Sequence, residues 1–388
     1  MRVLHLYKGY PPTLGGIEGH LQTLARGQAA RGLAVTVLVA GDDRTTRCER
    51  DQEVTVIRAG SIATLRSTPL CPSMPLHLAR AEPDIVHLHA PFPPGELAQW
   101  VLVRGQATVI SYHSDIVRQR WLGALWRPWQ RRLLLRAGRV LVASEAYRKS
   151  SPMLRPAGPT STAPHSAIVP YGIEVERFAH ADVRRVARWR QRFAAPRVLF
   201  VGRLRYYKGV GHLIAAADHL WAGAPSPGSL LIAGRGPREQ AWRQQAAASC
   251  VGESIHFLGD IAPEELPALY ASADVCVLPS TKRSEAFGIV LLEAMAAGLP
   301  VISTELGTGT SEVNIDGVTG RVLPAGNSQA LATALGPLLE DPALRQRMGE
   351  AAAQRAERHY RSEQMVAAVI EIYEQLMVTA RRSLRARR

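Results

Sequence analysis

Two carboxylates, Glu285 and Glu293, stand eight positions apart where a strand-like run, Asp274 to Leu278, gives way to a helical pattern from about Phe287 to Ala297. If the interval is fully helical, it spans ~12 Å at ~1.5 Å per residue. That is too far to share one proton and suits gripping the two ends of a long ligand. Between the carboxylates, Gly288 lets a backbone approach closely, and the helix N-terminus offers unpaired N–H groups to an anion.

Cations for such an anion occur in Val201-Gly202-Arg203-Leu-Arg205-Tyr-Tyr-Lys208-Gly209, where Arg203 and Lys208 bracket a turn. Arg offers a planar fork and Lys a point charge, a pairing that can hold a diphosphate. The chain has four lysines against 43 arginines, so a lysine here points to a position that wants an ammonium. Gly234-Arg-Gly236-Pro237 reads as another strand-to-helix turn, with Pro237 suited to a first helical position. Gly15-Gly16 precedes the first helix without the GxGxxG spacing, which disfavours a dinucleotide enzyme but still lets N–H groups approach phosphate or a bulky acceptor. In Tyr112-His113-Ser114-Asp115, the histidine at a strand end can meet a polar ligand and Asp115 could orient it; an ordinary loop histidine explains the tetrapeptide equally. His87 and His89 read as structural, since HxH spacing without nearby ligands is a thin metal signal. Gly307 to Glu312 adds a hydroxyl-rich turn near a helix start.

The elements that must position these residues form an alternating pattern. Strands are expected at Val3–Leu6, Ala34–Val39, Val54–Arg58, Asp84–His87, Thr108–Ser111, Val140–Ala143 and Ala167–Val169, with a helix from Gly19 to Ala30. The alternation restarts at Arg197–Val201 and continues through Leu230–Ala233, Ser254–Phe257, Asp274–Leu278 and Val301–Ser303. This is an α/β pattern of two doubly wound, Rossmann-like domains, whose ligand belongs in a cleft at the strand C-terminal ends. The expected domains are 1–172, joined by 361–388, and 196–360, with the charged stretch 173–195 as linker.

The bulk numbers agree. A chain of 388 residues exceeds one core, and 46% hydrophobic with 21% charged residues is ordinary for a globular protein. Arg2 to Tyr7 reads as a first strand rather than a signal peptide, no apolar run spans a membrane, and the four cysteines show no metal spacing, so reduced cytosolic thiols are expected. The net charge of +14 is uneven: residues 1–172 hold 21 Lys plus Arg against 11 Asp plus Glu, and 173–380 hold 21 against 22. Such a balance suits an anionic ligand or surface, and arginine used for solubility accounts for it nearly as well. A nucleic-acid binder would share the charge, but no helix-turn-helix, zinc or aromatic RNA-binding motif occurs.

Together these motifs resemble the GT-B-fold glycosyltransferases of family 4, the retaining, nucleotide-sugar-dependent group, over essentially the whole chain. The most specific part is the pair of glutamates separated by seven residues, with Phe287-Gly288 in their usual places, supported in order by Gly15-Gly16, the His113 loop, Gly202-Arg203 with Lys208-Gly209, and Gly234 with Gly236. The resemblance implies Glu293 on the ribose hydroxyls, Glu285 near the transferred sugar, Arg203 and Lys208 on the diphosphate, and the backbone of Phe287, Gly288, Ile289 and Val290 capping it. It places His113 on the donor sugar and Gly15-Gly16 beside phosphate and acceptor. It implies no cofactor and no bound metal, a retaining front-face transfer, a glycan or lipid-linked acceptor, and no nucleic acid; no oligomeric state follows. An epimerase or phosphorylase on the same fold is a weaker alternative. Two departures stand out: Pro170-Tyr171-Gly172-Ile173 replaces a motif in which asparagine is common, and Gly307 to Glu312 replaces a glycine-rich turn. These variants resemble bacterial polysaccharide and O-antigen mannosyl- or rhamnosyltransferases, which commonly use GDP-sugars; a UDP-sugar donor is the alternative.

Two segments suggest an anionic membrane surface, on the cytoplasmic face of the inner membrane. Arg118 to Arg139 interleaves Trp121, Trp126 and Trp129 with seven arginines, Arg131 and Arg132 among them. The tail carries Val366, Val369, Ile370, Tyr373, Leu376 and Met377 at helical spacing before the basic run Arg381 to Arg388. Packing against the first domain is the competing use of both.

Overall fold

The computed structural model describes residues 1–13, 15–65, 68–103, 107–115, 120–156 and 163–385, with backbone only for residues 65, 120–125 and 381–385. The chain divides into two compact units, Met1–Gly172 with Ser362–Arg388, and Ile173–Arg361.

The first unit is built on an eight-stranded sheet in the order Ser166–Ile168, Arg139–Val142, Ala107–Tyr112, Ile85–Ala90, Arg2–Leu6, Ala34–Ala40, Val54–Ala59 and Arg47–Asp51. All neighbours are parallel except Arg47–Asp51, which folds back antiparallel on Val54–Ala59. That edge strand escapes sequence reading because it is charged and largely exposed. The inner strands are runs of Val, Ile and Leu because both faces are covered. One face carries Val3, Ile85, Val109, Leu141 and Val169, and onto it pack Leu24 of the Gly16–Ala29 helix and Met365, Val366, Val369, Ile372 and Tyr373 of the C-terminal helix Ser362–Arg385. The apolar stripe of the tail therefore completes the first unit's core, with Ile370, Leu376 and Met377 against its margin. On the other face, the Pro93–Leu102 helix approaches Leu6 at Gly95.

The second unit is a six-stranded, all-parallel sheet ordered Ile255–Gly259, Ser229–Ala233, Arg197–Val201, Val275–Leu278, Val301–Glu305 and Gly320–Pro324. Gly320–Pro324 is too like a turn at both ends, with Gly and Pro as its termini, to be read as a strand from sequence. Residues 173–195 are not a bare linker: they form helices Val175–Ala179 and Val183–Arg192, which belong to this unit. Asp182 caps the second helix, and Trp189 Nε1–H and the Arg185 and Arg188 guanidiniums converge on Glu265. Their charge marks one solvated helix face, not a flexible tether.

At Gly27 the first helix meets the C-terminal helix so closely that a Cβ would stand 2.6 Å from Val366 Cγ2. Gly27→Leu should destabilise the protein by about 1–3 kcal/mol through overpacking. Gly19→Ala on the same helix, with nothing within 4 Å, should gain about 0.5–1 kcal/mol. Urea denaturation distinguishes the two; equal effects would contradict this packing.

Candidate active site

In the second unit, Arg197–Val201 lies between Ser229–Ala233 and Val275–Leu278, and the chain order reverses there. Such a switch point leaves a crevice at the strand C-terminal ends. The turns leaving the three strands interlock: Gly202 N–H donates to Ala233 O, Leu204 N–H to Arg235 O and Thr281 N–H to Tyr207 O. Glycine is obligatory at two positions. A Cβ on Gly234, at φ +117°, would lie 2.3 Å from Gly202 O, and one on Gly209, at φ +71°, would lie 1.8 Å from Pro279 O.

Lys208 bridges these turns. Its Nζ lies 2.6 Å from Glu285 Oε2, and Ser280 Oγ donates to the same oxygen at 3.0 Å. Lys208, Glu285 and Ser280 are all buried. Burial disfavours the ammonium, but the charge of Glu285, with Tyr207 and the hydrogen bond, outweighs it and raises the Lys208 pKa. A permanent cation is thus held in a desolvated turn by one carboxylate. Arg203, exposed on the same turn, makes no ion pair among the described residues.

The two glutamates are held differently. The helix spans Ile289–Ala296, with Gly288 at φ 87° as its N-cap, so it starts later than the sequence pattern suggests. Glu285 precedes it in irregular backbone, and the ~12 Å helical rise does not apply. The left-handed Gly288 is the physical reason: the helix cannot extend back through it. The Phe287 ring is buried and edge-on to Tyr360, with centroids 6.0 Å apart, and so belongs to the core. On the helix, Glu293 Oε2 accepts a hydrogen bond from Tyr270 Oη at 2.7 Å. Burial pushes the Glu293 carboxyl up to about 7, against the pull of Tyr270 and the charges of Arg177 and Lys208. Sequence reading missed Tyr270, whose one signal is a hydroxyl in an apolar helix pattern.

The first unit gathers histidines. Period-two alternation puts His87 and His89 on one sheet face, and strand register sets His5 beside His87 and Ser111 beside His89. His113, just past the strand end, stacks on His89, and His20 comes from the helix above. All five rings are buried. Burial depresses their pKa values, to about 4 for His5, to about 3 for His20 and well below 6.5 for the others. His113 is held by Tyr171 Oη and His89 Nδ1, one at each ring nitrogen. Asp115, expected to orient it, instead accepts from Tyr112 Oη at 2.9 Å and Ser151 Oγ at 2.7 Å and so shapes the loop. At Gly15-Gly16 the Glu18 side chain folds back so far that a Cβ on Gly15 would meet Oε2 at 2.0 Å. The structure therefore brings together Lys208, Glu285, Gly202, Gly234 and Gly236 in one unit, and His113 with other histidines in the other.

Comparison with known proteins fits both units. Residues 187–355 match "Glycosyl transferases group 1" and residues 14–151 match "Glycosyltransferase Family 4". The chain is 35% identical to the O-antigen chain mannosyltransferase C of Escherichia coli over 97% of its own length and 99% of that protein's. It is 36% identical to the D-rhamnosyltransferase WbpZ of Pseudomonas aeruginosa, covering 92% of this chain and 91% of that one. The chain belongs to glycosyltransferase family 4. The fold is GT-B: sucrose-phosphate synthase of Thermosynechococcus elongatus superposes with a TM-score of 0.81 at 22% identity, covering 97% of this chain and 99% of that one. As a member of this family the chain is a hexosyl-transferring enzyme.

The tryptophan-rich segment of this glycosyltransferase is the helix Arg120–Arg136. Trp126 Nε1–H donates to the buried Glu96 at 2.8 Å, Gln130 binds the same carboxylate, and Trp129 packs on Trp126 and Trp100. Arg131 donates to Met153 O, while Arg132 is exposed. Trp126 is thus anchored inward, contrary to a wholly lipid-facing role; the Trp121 side chain and the side chains of residues 381–388 lie outside the described residues. No described helix is long and apolar enough to cross a membrane.

The histidines fix a pH dependence. Their folded pKa values lie below the unfolded value of 6.5, so the unfolded chain binds more protons as pH falls. Stability from these rings should be complete above pH 6.5 and decline towards pH 4, by up to about 1.4 kcal/mol per pH unit per ring. Urea denaturation from pH 7.5 to 5 should show a slope that His20→Phe reduces by about one proton; an unchanged slope would refute a neutral buried His20.

Proposed function

We propose that the enzyme transfers a hexosyl group, with retention of anomeric configuration, from a GDP-mannose- or GDP-rhamnose-type donor to a lipid-linked or saccharide acceptor in bacterial surface polysaccharide or lipopolysaccharide synthesis. The observation that carries this reading is the buried Lys208–Glu285 pair at the switch point. In the proposed reaction, the donor diphosphate draws the Lys208 ammonium from Glu285, and Arg203 and the first N–H groups of the Ile289–Ala296 helix complete its cradle. Glu285, released, accepts hydrogen bonds from hydroxyls of the transferred sugar. Negative charge grows on the leaving phosphate as the glycosidic bond breaks, and a preorganised cation lowers that barrier. Charge neutralisation by Lys208 and Arg203 needs no metal, so activity should survive chelation. Similarity to the mannosyl- and rhamnosyltransferases supports the GDP-sugar; a UDP-sugar is the second reading.

Lys208→Met should lower kcat by about 10²–10³-fold with a smaller change in KM, and near-normal turnover would remove Lys208 from the site. Glu293 accepts two ribose hydroxyls only when ionised, so nucleotide affinity should rise with pH through about 7, a dependence that Glu293→Gln should weaken and flatten. A thermal-shift panel of GDP, UDP, ADP and CDP should favour GDP; NMR of the glycoside should show the donor's anomeric configuration.

For a lipid-linked acceptor we further propose docking on the cytoplasmic face of the inner membrane through the first unit. Leu97 and Val101 on the Pro93–Leu102 helix and Leu76 on the neighbouring Met74–Arg80 helix are exposed, with Arg127 and Arg132 exposed on the Arg120–Arg136 helix that packs beside Pro93–Leu102. Apolar side chains flanked by arginines suit an anionic lipid surface. Co-sedimentation with phosphatidylglycerol vesicles at low salt should succeed and should fall in a Leu97→Glu, Val101→Glu variant; equal pelleting of both would exclude this surface.

A further inference from the structure

Four of the buried histidines of the first unit, His5, His87, His89 and His113, lie on one unbroken line of hydrogen bonds. Tyr171 Oη meets His113 Nδ1; His113 Nε2 meets His89 Nδ1 at 2.9 Å; His89 Nε2 meets His5 Nδ1 at 3.1 Å; His5 Nε2 meets Gln28 Oε1 at 2.7 Å. Beyond Gln28 the line continues, Nε2 to Tyr373 Oη at 3.2 Å, Tyr373 Oη to His87 Nδ1, and His87 Nε2 to Ser111 Oγ at 2.8 Å. Every member is buried.

A neutral imidazole has one donor nitrogen and one acceptor. With the Gln28 carbonyl oxygen turned to His5, and able only to accept, His5 carries its proton on Nε2. His5 Nδ1 then accepts, which puts the His89 proton on Nε2; His89 Nδ1 accepts, which puts the His113 proton on Nε2; and His113 Nδ1 takes the Tyr171 hydroxyl proton. In the other direction the Gln28 amide donates to Tyr373, Tyr373 to His87 Nδ1, and His87 Nε2–H to Ser111. All seven bonds are satisfied with one tautomer at four rings. A second proton on His5 or His89 would set two ring N–H donors against each other in a buried setting.

We propose that Gln28 is a positioning residue for sugar transfer: its amide fixes the Nε2–H tautomer of His113, three hydrogen bonds away, and makes Tyr171 present only oxygen lone pairs to a further partner. Tyr373 locks the amide in turn, so the C-terminal helix takes part in setting that polarity. A Tyr171 that only accepts suits a hydroxyl-bearing ligand rather than an anion. The link to catalysis rests on the reading that the His113 loop belongs to the transfer site; the tautomer assignment does not.

A metal competes for the same atoms. His20 Nδ1 has no hydrogen-bond partner among the described residues, and one ring nitrogen each of His20, His89 and His113 lie within 4.8 Å of one another. An ion there needs a lone pair from His89 and from His113 at once, whereas the bond between the two rings holds a proton.

The test is ¹⁵N NMR of the full-length protein labelled at histidine, near pH 7. His5, His87, His89 and His113 should all be neutral with the proton on Nε2, and a through-bond N–N coupling should join His89 to His113. A His113 proton on Nδ1, a doubly protonated ring, or signals shifted by one equivalent of zinc would overturn the proposal. Gln28→Leu should move the His113 resonances and lower kcat about tenfold, the effect of one lost hydrogen bond, with donor KM unchanged. Gln28→Glu, which still offers an acceptor oxygen to His5, should restore both. Unmoved His113 resonances in Gln28→Leu would disprove the coupling; moved resonances with unchanged kcat would leave the tautomer chain standing and remove His113 from the transfer site.

Discussion

The turns of the second unit converge on one interaction: a lysine ammonium kept charged in a buried turn by a single carboxylate. A buried ion pair is seldom a net source of stability, because desolvating two charges costs several kcal/mol that their attraction must offset. Its value here is readiness. The Lys208 ammonium is fixed at a switch point between interlocked turns, and its partner, Glu285, is also held by Ser280. In the proposed reaction an incoming diphosphate exchanges one anionic partner for another, so the cation is never left bare. The glycine turns serve that arrangement: Gly209 and Gly234 permit backbones to pack where any side chain would collide.

The two glutamates of the motif have distinct electrostatics despite their shared residue type. Glu285 faces an ammonium at hydrogen-bond distance, while Glu293 meets a tyrosine hydroxyl in an apolar setting that lifts its pKa to about 7. One is poised by a charge and the other by burial. The same unit therefore offers one carboxylate tied to an ammonium and one whose ionisation is linked to pH near 7.

In the first unit the constraint is the sheet face shared by apolar and imidazole side chains. Towards the strand N-termini it is Val3, Ile85 and Val109, closed by the C-terminal helix; towards the C-termini it is His5, His87 and His89. Polar rings are tolerated there because each finds a partner: Gln28 and Tyr373 from the covering helices, and Ser111, Tyr171 and other histidines alongside. One helix thus completes the core and carries the hydrogen-bond line on to His87.

Much was legible in the chain alone, for a physical reason. Parallel strands buried on both faces must be Val-, Ile- and Leu-rich, so Val3–Leu6, Arg197–Val201 and Asp274–Leu278 announced themselves, and the paired glutamates with Lys208 carried the resemblance to the family. The apolar spacing of Val366, Val369 and Tyr373 likewise determined that this helix would bury one stripe. Tertiary structure decided what pairs across space. Nothing local joins Lys208 to Glu285, Tyr270 to Glu293, or Trp126 to Glu96, since each bond crosses between elements. Nor does the HxH spacing reveal a chain of imidazoles, because that requires strand register to set His5 beside His87 and a helix to bring Gln28 over them. Secondary structure follows from periodicity, which a sequence displays; donor and acceptor partners follow from packing, which it does not.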